Sequence, residues 1–208
     1  MNALGVMRQA LKDAWSDLWT VLVCNLVWLL AQLLIIPGPP ATLALFYYAN
    51  QKAKGEPSDL SDFWYGFRHY WRPAWRWGLL NDALLIVLAG DYLLTGRLSQ
   101  GMTAHLIQGF YLALLGVWLL IQLLTLPFLL EQETPSIRQA LRNGAVMLGK
   151  NIGFSLLLGV LLTLILLAGI PLFMLSFAFG GMLLASAGNH AVLSRLAVYR
   201  VAEDSIIK

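Results

Sequence analysis

The chain has 208 residues, of which 59% are apolar and only 12% are charged. A soluble domain carries roughly 25% charged residues, so the composition excludes a globule surrounded by water and predicts a protein that uses lipid as solvent. The net charge is +3. Because the basic residues flank apolar segments, they indicate the positive-inside bias of membrane proteins and not nucleic-acid binding.

The first predicted element is an amphipathic helix over residues 1–17, which we expect to lie flat at the membrane surface. A long apolar segment, Leu18–Ile36, follows it. This segment is longer than the core of a signal peptide and prolines follow it, so we expect a retained membrane helix. The apolar residues of the amphipathic helix recur at steps of three and four: Leu4, Met7, Leu11, Trp15 and Leu18.

The segment after Pro37-Gly38-Pro39-Pro40 is short, and two interpretations of it stay open. As a helix, Ala41–Lys54 would span about 21 Å, less than the hydrocarbon thickness of roughly 30 Å. A return across the membrane keeps the basic residues on one side, as the positive-inside bias requires. The alternative is a peripheral segment, which leaves five membrane segments and divides the basic residues between both sides.

An aromatic and basic segment comes next, with eight aromatic residues in Phe63–Trp77. Arg68, Arg72 and Arg76 are four residues apart, which places three guanidinium groups on one helical face. Trp prefers the headgroup region and Arg binds lipid phosphates. We therefore expect an interfacial helix over 59–72. Its docking or anchoring residues would be Trp64, Trp71, Trp75, Arg68, Arg72 and Arg76.

Three apolar segments in the rest of the chain predict further membrane crossings. Gly78–Thr95, in a helix that begins near Pro73, and His105–Leu130 are each long enough for one crossing. Residues 151–194 contain no Asp, Glu, Lys or Arg and are long enough for two. We expect this stretch to fold back at Gly169-Ile170-Pro171, which gives the crossings Ile152–Ile170 and Leu172 to about His190.

A third interfacial helix is expected over 135–149, with Thr134 as its N-cap and Pro135 in its first turn. The whole pattern predicts an all-α, polytopic membrane protein with a single domain over 1–208. About six membrane helices would form three hairpins, with both termini in the cytoplasm. In this topology every Lys and Arg except Arg97 faces the cytoplasm.

Two apolar segments resemble each other. Val27–Pro37 and Val117–Pro127 are identical at eight of eleven positions, including Trp, Gln and Pro. In the predicted topology they run in opposite directions, as in the inverted repeats of many transporters. The alternative is a chance match between Leu-rich segments.

The sequence contains no catalytic motif and predicts no cofactor. His69, His105 and His190 are far apart and lack the spacing of metal ligands. Cys24, the only cysteine, lies within an apolar segment. We expect neither a catalytic site nor a metal site.

Polar residues near the cytoplasmic ends of the crossings are the remaining indication of function, because polar groups are costly in hydrocarbon. Five of them could line a cytoplasm-facing cavity, with Arg195 or Arg76 as the counter-ion of an acidic residue: Asp82, Asn81, Glu131, His190 and Arg195. The alternative is that Asp82 reaches the interface and pairs with a nearby Arg. Deeper in the membrane, we expect Asn25, Gln32 and Gln122 to form interhelical hydrogen bonds.

The N-terminal half carries a resemblance to a known family. Four motifs carry it: Pro37 to Tyr47, Gly55-Glu56-Pro57, Asp62-Phe63-Trp64-Tyr65-Gly66-Phe67-Arg68 and Gly78-Leu79-Leu80-Asn81. Over roughly residues 10–85 the chain resembles the YesL-like family of bacterial polytopic membrane proteins. The resemblance implies a plasma-membrane protein that accompanies carbohydrate-uptake systems. It assigns no functional residues.

These observations favour a non-enzymatic membrane protein that assists or regulates a solute uptake complex, with a carbohydrate as the expected solute. Its expected partners are the lipid bilayer and subunits of an ABC-type transporter, and the sequence leaves a homo-oligomer open. One alternative is a small transporter in its own right. A membrane enzyme acting on a lipid or polyprenyl substrate is a further alternative.

Overall fold

The computed structural model describes residues 1–98, 101–168 and 173–207, and among them the side chains of all but 173–178 and 199–207. Every regular element in these ranges is an α-helix. In chain order the helices are α1 Ala3–Ser16, α2 Leu18–Leu33, α3 Gly38–Ala53, α4 Leu60–His69, α5 Trp71–Leu98, α6 Met102–Leu130, α7 Ile137–Lys150, α8 Ile152–Ala168 and α9 Phe173–Ile207.

The lengths and compositions of the described helices allow two to four membrane spans. The helices α5 and α6 are each long and apolar enough to cross a membrane. Two further pairs qualify only if each pair counts as one span, and both are sharply bent, by 98° between α1 and α2 and by 101° between α7 and α8. The expected six crossings are therefore not confirmed. The predicted turn at Gly169-Ile170-Pro171 lies outside the described residues.

The N-terminal helix α1 packs differently from the expected apolar stripe. Its predicted stripe is largely exposed, with Leu4 at 62% and Trp15 at 69% of their full exposure. A face made mostly of small residues packs instead against α8 and α9, because small side chains let helices approach closely. The buried residues of α1 are Ala3, Val6, Met7, Ala10, Asp13 and Ala14.

The short helix α3 lies at the centre of the fold and contacts α2, α4, α5, α6 and α9. Leu43, Leu45 and Tyr48 are almost completely buried in the core. The segment Ala41–Lys54 therefore belongs to the protein core, and its return across the membrane stays a prediction. A core position explains why the helix is apolar yet short, since it packs against protein on most of its surface.

The helix α4 begins with a capping box. The carboxylate of Asp59 accepts a hydrogen bond from the backbone N–H of Ser61, and the carboxylate of Asp62 accepts one from the backbone N–H of Asp59. Asp59 thus takes the N-cap position of α4. The helix packs on α3 at Gly66, where an added Cβ would lie 3.1 Å from the Cα of Ala44.

The ends of α4 and α7 differ from the expected bounds. The helix α4 ends at His69, three residues before the expected Arg72. Pro73 still lies in the first turn of the next helix, because α5 begins at Trp71. The expected cap of α7 is wrong: the chain is still extended at Ser136, whose backbone N–H donates to Gln132 Oε1 at 2.7 Å.

The Trp residues of the two similar segments both donate to a neighbouring helix, but the segments end differently. Trp28 donates to Thr42 Oγ1 of α3, and Trp118 donates to Asn81 Oδ1 of α5. However, Pro37 follows the end of α2, whereas Pro127 lies inside α6. The shared pattern is thus a Trp–Gln face that joins each helix to its neighbour.

Candidate functional site: a polar network at α9 and an aromatic, basic surface on α4

A buried contact between Asp13 and His190 joins the N-terminal helix to α9. His190 Nε2 lies 2.6 Å from Asp13 Oδ2, and each residue is 7% exposed. The hydroxyl of Ser186, one turn before His190, donates to the same carboxylate oxygen at 2.9 Å. Since Ser186 and His190 contact the carboxylate separately, the three residues do not form the relay of a hydrolase, in which the histidine must lie between the other two.

A second polar cluster lies beside the first, at Asn189. Its Oδ1 accepts a hydrogen bond from Asn50 Nδ2 of α3 at 2.9 Å, and the same amide nitrogen lies 3.0 Å from Glu131 Oε1. Glu131 also forms an ion pair with Lys54 at 2.7 Å. The cluster therefore joins α3, the end of α6 and α9. Together with Asp13, Ser186 and His190, we call these residues the α9 polar network.

The structure separates the residues expected to line one cavity. Glu131 and His190 both belong to the α9 polar network: His190 lies in the first cluster and Glu131 in the second. Asn81 instead accepts from Trp118 and donates to the backbone carbonyl of Trp77. Asp82 is exposed on α5, and among the described residues no Arg forms an ion pair with it.

The expected counter-ions also differ. Lys54, and not Arg195 or Arg76, neutralises Glu131. The guanidinium of Arg195 lies over the ring of Phe154, 4.4 Å from its centroid. Arg76 is exposed. Lys54 can reach Glu131 because it stands at the C-terminal end of α3, which packs directly against α6.

The three amides expected to form interhelical hydrogen bonds do so. Asn25 Oδ1 accepts from the backbone N–H of Met182, Gln32 Nε2 donates to the carbonyl of Gly38, and Gln122 Oε1 accepts from Trp77. The sequence reasoning missed Asp13, Asn50 and Ser186. The burial of Asp13 could have been predicted from its position between Ala10 and Ala14, on the small-residue face of α1.

The surface of α4 carries an open depression of about 620 Å³. Trp64 and Tyr65 are 42% and 51% exposed, although both are large aromatic residues. The ring of Tyr65 stacks on that of His69, with centroids 5.1 Å apart and planes inclined by 13°. The depression is lined by Ser61, Trp64, Tyr65, Arg68 and His69, and we call it the α4 depression.

The basic residues of this surface continue into α5. Arg68, Arg72 and Arg76 are all exposed. The backbone stays close to helical between α4 and α5, because Tyr70 N–H donates to the carbonyl of Gly66 and Ala74 N–H to that of Tyr70. Burial raises the pKa of Tyr70 at this joint to about 12, which keeps its hydroxyl neutral. Trp71 and Trp75 are half-buried.

Within the part of the chain that the structure describes, no group of three or more His, Cys, Asp or Glu residues could hold a metal ion. The fold and the polar clusters define an all-helical protein with at least two helices able to cross a membrane. Residues 21–92, which contain almost all of α2 to α5, match the family described as "Protein of unknown function, DUF624". No curated protein and no solved structure matches the chain.

Proposed function

We propose that the chain is a non-enzymatic integral membrane protein that assists or regulates a solute uptake system. The family match supports the sequence resemblance as far as an uncharacterised family. The proposed setting is the bacterial plasma membrane, with about six crossings and both termini in the cytoplasm. The solute is proposed to be a carbohydrate, and the partner a subunit of an ABC-type transporter.

One observation carries this proposal: the Arg residues of α4 and α5 and the rings of Trp64 and Tyr65 are exposed, whereas the part of the α9 polar network on α1 and α9 is buried and internally paired. Surfaces that expose large aromatic residues with Arg are typical of interfaces. Buried polar groups that satisfy one another stabilise a fold. The exposed surface is therefore the better candidate for contact with a membrane or a partner.

Purification of the intact protein from native membranes tests the accessory role. We expect transporter subunits to co-purify and the protein alone to move no solute in liposomes. The Arg72→Gln variant should recover less partner than the wild type, and Arg142→Gln, an equally exposed Arg on α7, is the matched control. Solute flux by the protein alone, with no partner recovered, would contradict the proposal.

A small transporter is the second candidate, and the buried ionisable residues favour it. Charged residues inside membrane proteins often mark ion or proton pathways, and Asp13, His190 and Glu131 lie in neighbouring clusters. In liposomes, this function requires solute flux that the Glu131→Gln variant abolishes. Asp82→Asn, which changes an exposed carboxylate, should leave that flux intact.

A further inference from the structure

We propose that the α4 depression binds the phosphate-bearing headgroup of an anionic phospholipid. This inference rests on the proposed function in one respect, the placement of α4 at the cytoplasmic surface of the membrane. It adds the chemical class of the ligand and names Arg68 as the residue that recognises it.

The lining of the depression suits a phosphate with an attached polar headgroup. Arg68 is exposed and carries a planar guanidinium with five N–H donors, which matches phosphate oxygens in a bidentate geometry. His69 adds a ring nitrogen. Ser61 also lines the depression, but its hydroxyl donates to Asp59 Oδ1 and therefore offers no donor to a phosphate. The volume of about 620 Å³ lies in the range of small-molecule sites.

The charges around the depression favour an anion. In the described part of the chain, the ion pairs involve other residues, and no carboxylate lies within ion-pair distance of Arg68, Arg72 or Arg76. The nearest acidic residues, Asp59 and Asp62, are at the N-terminal end of α4 and are engaged in its capping box. The C-terminal end of α4 therefore keeps an uncompensated positive charge.

The position in the chain favours a lipid over an acidic peptide. The helix α5, which begins two residues after α4 ends, is long and apolar enough to cross a membrane. Arg72 and Arg76 lie in its first turns, and Trp71, Trp75 and Trp77 accompany them. Trp, Tyr and Arg concentrate where headgroups lie, at the ends of membrane helices. An anion at this depth is a lipid phosphate.

Native mass spectrometry of the intact, detergent-purified protein tests the inference. The protein is mixed with equal amounts of phosphatidylglycerol and phosphatidylcholine that carry the same acyl chains. We expect about fivefold more retained phosphatidylglycerol, since one Arg near an anionic surface contributes about that factor. Arg68→Gln should abolish the preference and Arg68→Lys should retain part of it, whereas Arg142→Gln on α7 should keep it.

Three outcomes would overturn the inference. The first is an equal loss in Arg68→Gln and Arg142→Gln, which indicates diffuse charge. The second is a preference for phosphatidylglycerol that disappears when inorganic phosphate alone is added, which indicates a site for a free anion. The third is an unchanged lipid preference in Arg68→Gln together with loss of a co-purifying protein, which indicates a protein partner. The accessory role can fail while the lipid inference holds. In that case no protein co-purifies, but phosphatidylglycerol stays bound to the protein.

Discussion

The contact between Asp13 and His190 shows most clearly how burial decides the role of a residue. Both side chains are almost inaccessible, and the carboxylate has a second partner in Ser186. Removal of one member of such a cluster leaves buried polar atoms without a partner, which costs more than the lost hydrogen bond itself. Asp82, also a carboxylate on a helix, is exposed and carries no such penalty.

The first prediction compares these two carboxylates. Asp13→Ala should lower the free energy of unfolding by about 2 kcal/mol, because His190 and Ser186 lose their shared acceptor. Asp82→Ala should change it by about 0.5 kcal/mol or less. Thermal unfolding of both variants in the same detergent measures the difference. Equal stability of the two variants would show that the buried cluster contributes little.

At the scale of elements, α9 is held close to its neighbours by residues without large side chains. A Cβ at Gly188 would lie 2.5 Å from the backbone carbonyl oxygen of Leu123 in α6, and one at Gly181 would lie 2.7 Å from Asn25 Oδ1 in α2. This proximity places Asn189 within hydrogen-bond distance of Asn50, so the contact of the helices positions the polar network.

The second prediction concerns that contact. Gly188→Ala should destabilise the protein by about 2 kcal/mol, because a backbone carbonyl cannot move aside and α9 must shift away from α6. Gly109→Ala is the matched control, since a Cβ there meets nothing within 4 Å, and it should be neutral or stabilise α6 by up to about 1 kcal/mol. Chemical unfolding of both variants is the measurement. A stable Gly188→Ala variant would contradict the assigned packing.

At the scale of the whole molecule, the proposed topology depends on the distribution of basic residues. Arg97 lies near the end of α5, and the other Lys and Arg residues are proposed to face the cytoplasm. The bends of 98° and 101° add a constraint, because each turns an amphipathic helix sharply away from an apolar one. In the proposed topology α1 and α7 follow the membrane surface, and α2 and α8 enter the hydrocarbon.

The third prediction tests this topology by cysteine labelling in a Cys24→Ala background. An impermeant maleimide on intact cells should modify a Leu98→Cys variant, next to Arg97. It should modify Glu56→Cys and Arg138→Cys variants only after the cells are permeabilised, because those positions are proposed to be cytoplasmic. Leu98, Glu56 and Arg138 are all exposed, so burial does not distinguish them. Modification of Glu56→Cys or Arg138→Cys in intact cells would overturn the topology.

Much of the helix pattern could be predicted from the sequence, because local signals decide it. The start of α5 near Pro73 follows from the fixed φ of proline, and the interhelical hydrogen bonds of Asn25, Gln32 and Gln122 follow from the cost of polar groups in an apolar environment. The cap of α7 could not be predicted from Thr134 and Pro135, since the side chain of Gln132 holds Ser136 extended.

The sequence by itself determined the all-α class, the amphipathic and apolar segments, and the spacing of the Arg residues of α4 and α5 along one face. These properties depend on composition and periodicity, which act over a few residues. The tertiary structure decided that α3 is central, that α1 buries its small residues, and that Lys54 neutralises Glu131. Asp13 and His190 are 177 positions apart along the chain. Only the close packing of helices distant in sequence brings such residues together, and no local pattern encodes that packing.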